Sequence, residues 1–205
     1  MCITIKNKYI FQTNTSQNKL FKQLNEETIY HSIRVAEIAT ELAKHTTLNQ
    51  EMIYDCGIWH DAGKIKILDI ISNQEGLSEN DWCEIRKHPI YGDEIIENLY
   101  EGKYKENVKE VALLHHCRIN NGGYPLELRQ QHLPLLIEIV SIADCFEAMT
   151  AKRVYKEKIN PIIAKEMIIA GKCGDFSKEI IEIFEKAFPE IEIIAKTEVN
   201  KNYIA

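Results

Sequence analysis

Glycine and proline are scarce in this sequence, and their scarcity favours helices over a sheet protein rich in turns. The 205 residues include 9 glycines and 5 prolines, about 7% together, where roughly 12% is usual. No run of 18 apolar residues occurs, so no membrane span is predicted. The best candidate, residues 133–146, is interrupted by Glu138 and Asp144. The start, MCITIKNKYIF, has no apolar core bounded by a cleavage site, so no signal peptide is expected.

Paired cysteines and an excess of basic charge are missing as well. The six cysteines stand singly, at positions 2, 56, 83, 117, 145 and 173, without the C-x-x-C spacing of a zinc knuckle or a redox motif. Free thiols in a reducing cytoplasm are the simplest interpretation, so the expected location is cytoplasmic. With 25 basic and 31 acidic residues the net charge is −6. A nucleic-acid polymer is therefore not expected as a partner, whereas a small anionic substrate held by metal ions is compatible with this charge.

Hydrophobic periodicity predicts an all-α fold of about eight helices in a single domain. Ile29, Ile33 and Ala36 recur at three- and four-residue steps and predict a helix from about 26 to 44. Further helices are predicted from Asn49 to Trp59, Ser78 to Lys87, Pro89 to Leu99, about 105 to 117, Pro134 to about 150, after Asn160, and between Ser177 and Pro189. Residues 1–17 are polar and are interpreted as a leader, so the folded domain is expected over 18–205.

Five of the seven histidines stand at helix ends or on a helix face in the company of acids. The set comprises Glu27, His31, His60, Asp61, His88, His115, His116 and Asp144. Any one of them alone is better explained as a hydrogen-bonded core or surface residue. Together they form a nitrogen and oxygen ligand set large enough for two ions of iron, manganese or zinc. Asp61 is the natural bridge, because His60 beside it can bind one ion while Asp61 contacts both.

Two motifs in this order resemble a known family. Residues 60–64 read HDAGK and resemble the signature of the HD metal-dependent phosphohydrolases. Residues 123–125 read GYP and follow the His-His pair at the interval seen in the HD-GYP subfamily, bacterial phosphodiesterases that act on cyclic di-GMP. The resemblance extends from about Glu27 to Lys156. It implies an HD-domain helical bundle, two or three divalent ions (iron or manganese), and hydrolysis of a cyclic dinucleotide by a metal-bridging hydroxide.

The resemblance also implies a role for each matching residue. One ion would be held by His31, His60, Asp61 and Asp144. A second would be held by Asp61, His88, His115 and His116. Glu27 would complete a third site that only some members have. Asp61 and Lys64 would be catalytic, with Lys64 near the scissile phosphate. Tyr124 would contact the nucleotide, and Arg153 and Lys156 would bind substrate phosphates.

The loop after the His-His pair departs from the family pattern. Cys117 stands in place of a glutamate, and Asn120 and Asn121 stand in place of Asp-Gly. Glu147 occupies a position where aspartate is more common. Two alternatives therefore stay open: a phosphohydrolase of another nucleotide or phosphorylated metabolite, and a catalytically silent nucleotide-binding signalling module. The length leaves no room for a sensory domain, so a free-standing catalytic module is expected, with a homodimer or a signalling-protein partner left open.

Overall fold

Helices form almost all of the regular structure in the computed structural model, which describes residues 22–73, 76–151 and 158–197. They are α1 (Glu26–Ala43), α2 (Gln50–Trp59), α3 (Leu68–Ile71), α4 (Glu79–Ile85), α5 (His88–Leu99), α6 (Lys105–Leu114), α7 (Leu135–Thr150), α8 (Pro161–Ile169) and α9 (Lys178–Lys196). Two 3-10 segments (Ala62–Ile67 and Leu126–Leu128) and a small antiparallel pair, β1 (Cys117–Arg118) with β2 (Gly122–Gly123), complete the fold. The all-α prediction is confirmed.

The predictions of an N-terminal leader and of no membrane span concern different parts of the chain. The leader predicted at 1–17 lies outside the described residues. Within the described ranges, none of the helices has both the length and the apolar character needed to cross a membrane.

Side-chain caps set several predicted helix starts. Asn49 Oδ1 accepts hydrogen bonds from two backbone N–H groups in the first turn of α2, at 2.9 and 3.1 Å. Ser78 and Asp81 form the predicted capping box at α4. Asn160 caps α8, and Pro161 takes its first position. Each cap pairs an N–H group that the helix itself leaves without a partner, which is why these starts can be predicted from local sequence.

The central helix α7 is buried on nearly every side. It packs against α1, α8 and α9, and α1 in turn packs against α2. Fully buried side chains on α7 are Ile137, Ile139, Val140, Ile142, Ala143 and Phe146. Each of these side chains except that of Ala143 stabilises the fold by about 1.5–3 kcal/mol relative to exposure. Because α7 is apolar all round, a charged residue within it lies in the core.

A glycine lets α1 and α2 approach closely. A Cβ atom at Gly57 would lie 2.5 Å from the Cα atom of Ala36, so no larger residue fits at this crossing. The crossing places His31 of α1 beside His60, the residue that follows α2, with ring centroids 5.2 Å apart. Close packing of two helices thus brings together imidazoles that are far apart in the sequence.

The predicted end of the last helix is wrong, because α9 continues through Pro189 to Lys196. The buried face of α9 extends past the proline and consists of Ile180, Phe184, Ala187 and Ile191. Pro189 itself is exposed, as is Glu185, whose carbonyl loses its helical hydrogen bond to the proline. Water can bind that carbonyl, so burial of the apolar face outweighs the cost of the proline.

Pro189→Ala is expected to stabilise the protein by about 1–2 kcal/mol. Alanine restores the hydrogen bond and removes the steric clash, which together stabilise the helix by about 3 kcal/mol. Alanine also gives the unfolded chain more conformational freedom than proline does, and this offsets about 1 kcal/mol of the gain. In thermal denaturation the melting temperature should rise by about 2–4 °C for each kcal/mol of added stability. Pro161→Ala is the control, since proline is favourable at a first helical position and no gain is expected there. An unchanged melting temperature for Pro189→Ala would contradict the prediction.

Candidate metal centre

Asp61 lies between α2 and the 3-10 segment and is 2% exposed. Its Oδ2 atom lies 3.3 Å from His60 Nε2 and 3.4 Å from His31 Nε2. Its Oδ1 atom lies 3.2 Å from His88 Nε2 and 3.7 Å from His115 Nε2. Each oxygen of one carboxylate therefore faces a separate pair of imidazoles, which is the arrangement expected of a ligand shared by two metal ions.

Asp144 is buried in α7 and faces two of these imidazoles, His31 and His60, together with that of His116. Its Oδ1 atom lies 3.1 Å from His31 Nε2 and 3.9 Å from His60 Nε2, and its Oδ2 atom lies 3.9 Å from His116 Nδ1. A carboxylate in an apolar helix is costly unless it is paired or bound to an ion. Ligand atoms within 4.8 Å of one another form three groups: Asp61, His88, His115 and His116; His31, His60 and Asp61; and His60, His115 and Asp144.

Five of the twelve predicted site residues lie outside these groups: Glu27, Lys64, Tyr124, Arg153 and Lys156. Glu27 is exposed at the start of α1, one turn before His31, so its part in a third metal site stays a prediction. Arg153 and Lys156 lie outside the described residues. The other seven predicted ligands come together at one place.

Backbone carbonyls orient three of the imidazoles. In His60, His88 and His115, Nδ1 lies 2.7, 2.6 and 3.0 Å from the carbonyl oxygen three residues earlier in the chain. A carbonyl oxygen only accepts hydrogen bonds, so Nδ1 carries the proton in each ring. This leaves Nε2, which faces Asp61, as the ring atom that can bind a metal ion. This is the tautomer and orientation that a metal-binding histidine needs.

His31 is oriented by a carboxylate instead. Its Nδ1 donates to Oε2 of Glu147, and Arg34 Nε donates to Oε1 of the same side chain at 3.0 Å. Burial by itself lowers the pKa of His31, but the carboxylates around it, that of Glu147 foremost, hold this pKa well above its usual range. Sequence reasoning missed this contact. Its signal is the spacing, because Glu147 stands three residues after Asp144 on one face of α7.

The ionisation states of two acids and two imidazoles in the cluster suit a cation. Burial raises the pKa of Asp61, but Lys64 and His60 hold it well below its usual range. Burial also raises the pKa of Asp144, but its hydrogen bond to His31 holds this pKa well below its usual range. Burial and the neighbouring imidazoles lower the pKa values of His115 and His116 well below the ordinary histidine value. At neutral pH these acids are charged and these two rings are neutral, which are the forms that bind metal.

One buried nitrogen indicates that the cluster is built for an ion. Among the described residues, none forms a hydrogen bond with His60 Nε2, although this atom is fully buried. Leaving such an atom unsatisfied costs about 1–3 kcal/mol. Ligands bound to one ion at about 2.0–2.2 Å lie about 3 Å or slightly more apart, as several of these atoms do. Nitrogen and oxygen donors without thiolate suit divalent iron, manganese or zinc, so the residues present fit a metal centre.

Two residues predicted to act on the substrate lie at the edge of the cluster. Lys64 Nζ donates to Asp61 Oδ2 at 2.5 Å. The ring of Tyr124 stacks on that of His116, with centroids 4.4 Å apart and an interplanar angle of 26°. Burial raises the pKa of Tyr124, so its hydroxyl stays protonated and can donate a hydrogen bond.

The loop that departs from the family pattern is held by its own side chains. Asn120 and Asn121 adopt left-handed conformations, with φ of 58° and 57°, which asparagine tolerates better than most residues. Asn120 Nδ2 donates to Asp175 Oδ2 at 3.1 Å. The Cys117 thiol donates to the carbonyl oxygen of Tyr124 at 3.4 Å. Cys117 thus contacts the backbone of the loop that carries Tyr124.

Comparison with known proteins identifies the segment that carries the seven clustered ligands. Residues 28–149 match the family model described as HD domain. Over 170 residues the chain is 32% identical to a 3′3′-cGAMP-specific phosphodiesterase of Vibrio cholerae, covering 81% of this chain and 32% of that relative. It is 31% identical over 172 residues to a cyclic di-GMP phosphodiesterase of Pseudomonas aeruginosa, covering 81% of this chain and 40% of the relative. The chain thus spans well under half the length of these relatives.

A solved structure shares the fold. The HD domain of the L. monocytogenes phosphodiesterase PgpH, in complex with cyclic-di-AMP, matches with a TM-score of 0.63 at 19% identity. The match covers 89% of this chain and 99% of that one. At this level of identity the likeness concerns the helical architecture.

Proposed function

The chain belongs to the HD domain family, as the sequence motifs predict, and from this membership we propose that it is a metal-dependent phosphodiesterase that hydrolyses a cyclic dinucleotide. The observation that carries the proposal is Asp61, whose two oxygens face two separate pairs of imidazoles. Relatives named for cyclic di-GMP and for 3′3′-cGAMP support this substrate class. Cyclic di-GMP is the first candidate.

The proposed centre holds two divalent ions, iron or manganese. On one side the ligands are His31, His60, Asp61 and Asp144. On the other side they are Asp61, His88, His115 and His116. Glu27 is retained as a ligand of a third ion. When bound, the ions supply positive charge for the phosphate oxygens and lower the pKa of the attacking water.

The side chains of the protein are proposed to bind the substrate and to assist proton transfer during hydrolysis. Hydrolysis forms a bond between the oxygen of water and phosphorus, breaks the bond from phosphorus to the 3′-oxygen, and delivers a proton to that oxygen. Lys64, beside Asp61, is proposed to donate to the phosphate as negative charge develops there. Tyr124 offers a ring and a hydroxyl to the nucleotide. Arg153 and Lys156 are proposed to bind its second phosphate.

An assay with defined substrates tests the proposal. Purified protein loaded with Mn²⁺ or Fe²⁺ is incubated with cyclic di-GMP or 3′3′-cGAMP, and the products are separated by chromatography. We expect linear dinucleotides or mononucleotides, and no product after chelation of the metal. Metal-loaded protein that cleaves neither substrate would overturn the proposal. Phosphate release from mononucleotides would then indicate a phosphohydrolase, and tight binding without cleavage would indicate a silent module built around the altered loop of Cys117 and Asn120.

A further inference from the structure

His31 differs from three other imidazoles of the cluster in the group that contacts its Nδ1 atom, the nitrogen that faces away from Asp61. His60, His88 and His115 each have Nδ1 against a neutral backbone carbonyl of their own segment. His31 has Nδ1 against the carboxylate of Glu147, which lies 116 residues away in the chain. Its orientation therefore depends on how α1 and α7 pack, and not on its own helix.

Two pairs of residues on facing helices form this contact. On α1, Arg34 stands three residues after His31, and on α7, Glu147 stands three residues after Asp144, so each pair lies on one helix face. Glu147 is 2% exposed, and its two oxygens accept from His31 and from Arg34. A buried carboxylate needs such a charged partner, because an unpaired charge in the core is strongly unfavourable.

We propose that the Arg34–Glu147 pair is a positioning device that keeps His31 protonated on Nδ1 and strengthens Nε2 as a metal donor. The affinity for the ion on the His31 side then depends on the negative charge of Glu147, held in place by Arg34. This inference rests on the proposed metal-dependent function and concerns metal binding alone.

The physical reason is the difference between a neutral and a charged acceptor. A carboxylate bound to Nδ1–H raises the electron density of the ring more than a carbonyl does, and it fixes the tautomer and the direction of the ring. Loss of such a partner lowers metal affinity about 10–100-fold in comparable sites. Because His60, His88 and His115 keep their carbonyl partners and none of the described contacts of His116 involves Glu147, the effect should be confined to the His31 side.

Glu147→Gln and Glu147→Asp separate charge from shape. Glutamine keeps the size but removes the charge, whereas aspartate keeps the charge with a shorter reach. Calorimetric titration of metal-free protein with Mn²⁺, with the bound metal counted independently, should show two affinities in the wild type. In Glu147→Gln we expect one affinity to fall about 10–100-fold and the other to stay unchanged. The Mn²⁺ affinity of Glu147→Asp should fall less than that of Glu147→Gln.

Glu138→Gln is the matched control, because Glu138 is a second buried glutamate of α7 but lies away from the cluster. It accepts hydrogen bonds from the backbone N–H and the hydroxyl of Ser177, at 2.7 and 2.6 Å. Glu138→Gln should lower thermal stability without changing either Mn²⁺ affinity. Unchanged Mn²⁺ binding in Glu147→Gln, or a larger loss in Glu147→Asp, overturns the inference and leaves the proposed function standing. A wild type that binds no Mn²⁺ overturns both.

Discussion

Asp61→Asn is expected to release at least one of the two ions and to slow cyclic dinucleotide hydrolysis at least about 10³-fold. Asparagine keeps the shape of the side chain but offers one neutral oxygen in place of two charged ones. It therefore cannot face both pairs of imidazoles as a ligand. Charge supplied by bound metal ions contributes several kcal/mol to such reactions, and each 1.4 kcal/mol corresponds to about tenfold in rate. Metal content by mass spectrometry and product formation by chromatography measure the two effects.

The control for this variant is Asp69→Asn, an exposed aspartate on α3 close in sequence but outside the cluster. It should keep both ions and wild-type turnover. Circular dichroism should show that Asp61→Asn is folded, since Asp61 also pairs with Lys64. If folded Asp61→Asn retains two ions and hydrolyses its substrate at a near wild-type rate, Asp61 is not the shared ligand and the proposed centre is wrong.

Local chemistry explains why so much of the architecture is predictable from sequence. Asn49, Ser78 and Asn160 each bind N–H groups within three residues, so the information that starts their helices lies next to them. The apolar run of α7 makes Asp144 conspicuous, because a charge there needs partners. The structure supplies those partners in His31 and His60.

Contacts between distant helices are what the sequence leaves open. The spacing of Glu147 from Asp144 places both on one face of α7, but it does not identify the face of α1 that carries His31 and Arg34 as the partner. Pro189 is a second case in which tertiary packing, and not local sequence, decides the structure. Its local preference ends a helix, but the buried face that continues to Ile191 overrides that preference. Residues whose role depends on tertiary packing need the structure.

Gly63→Ala is expected to damage the fold and the metal centre together, because Gly63 sits where the 3-10 segment meets α5. A Cβ atom there would lie 1.9 Å from the carbonyl oxygen of His88 and 2.5 Å from the backbone nitrogen of Gly92. Both atoms belong to the backbone, so α5 must move, and His88 moves with it. We expect a loss of about 3 kcal/mol in the free energy of unfolding, at the upper end of the range for overpacking. We also expect weaker Mn²⁺ binding on the His88 side.

Gly92→Ala at the same interface distinguishes this close approach from a general intolerance of alanine. Its Cβ would lie 3.3 Å from the Cβ of Ala112, a side chain that can shift by a few tenths of an ångström. Alanine also favours the helix by up to about 1 kcal/mol, so the net change should be small. Chemical denaturation and Mn²⁺ titration of both variants provide the comparison. Equal stability and equal Mn²⁺ affinity in the two variants would mean that α5 tolerates a side chain at Gly63, and that His88 is not placed by this contact.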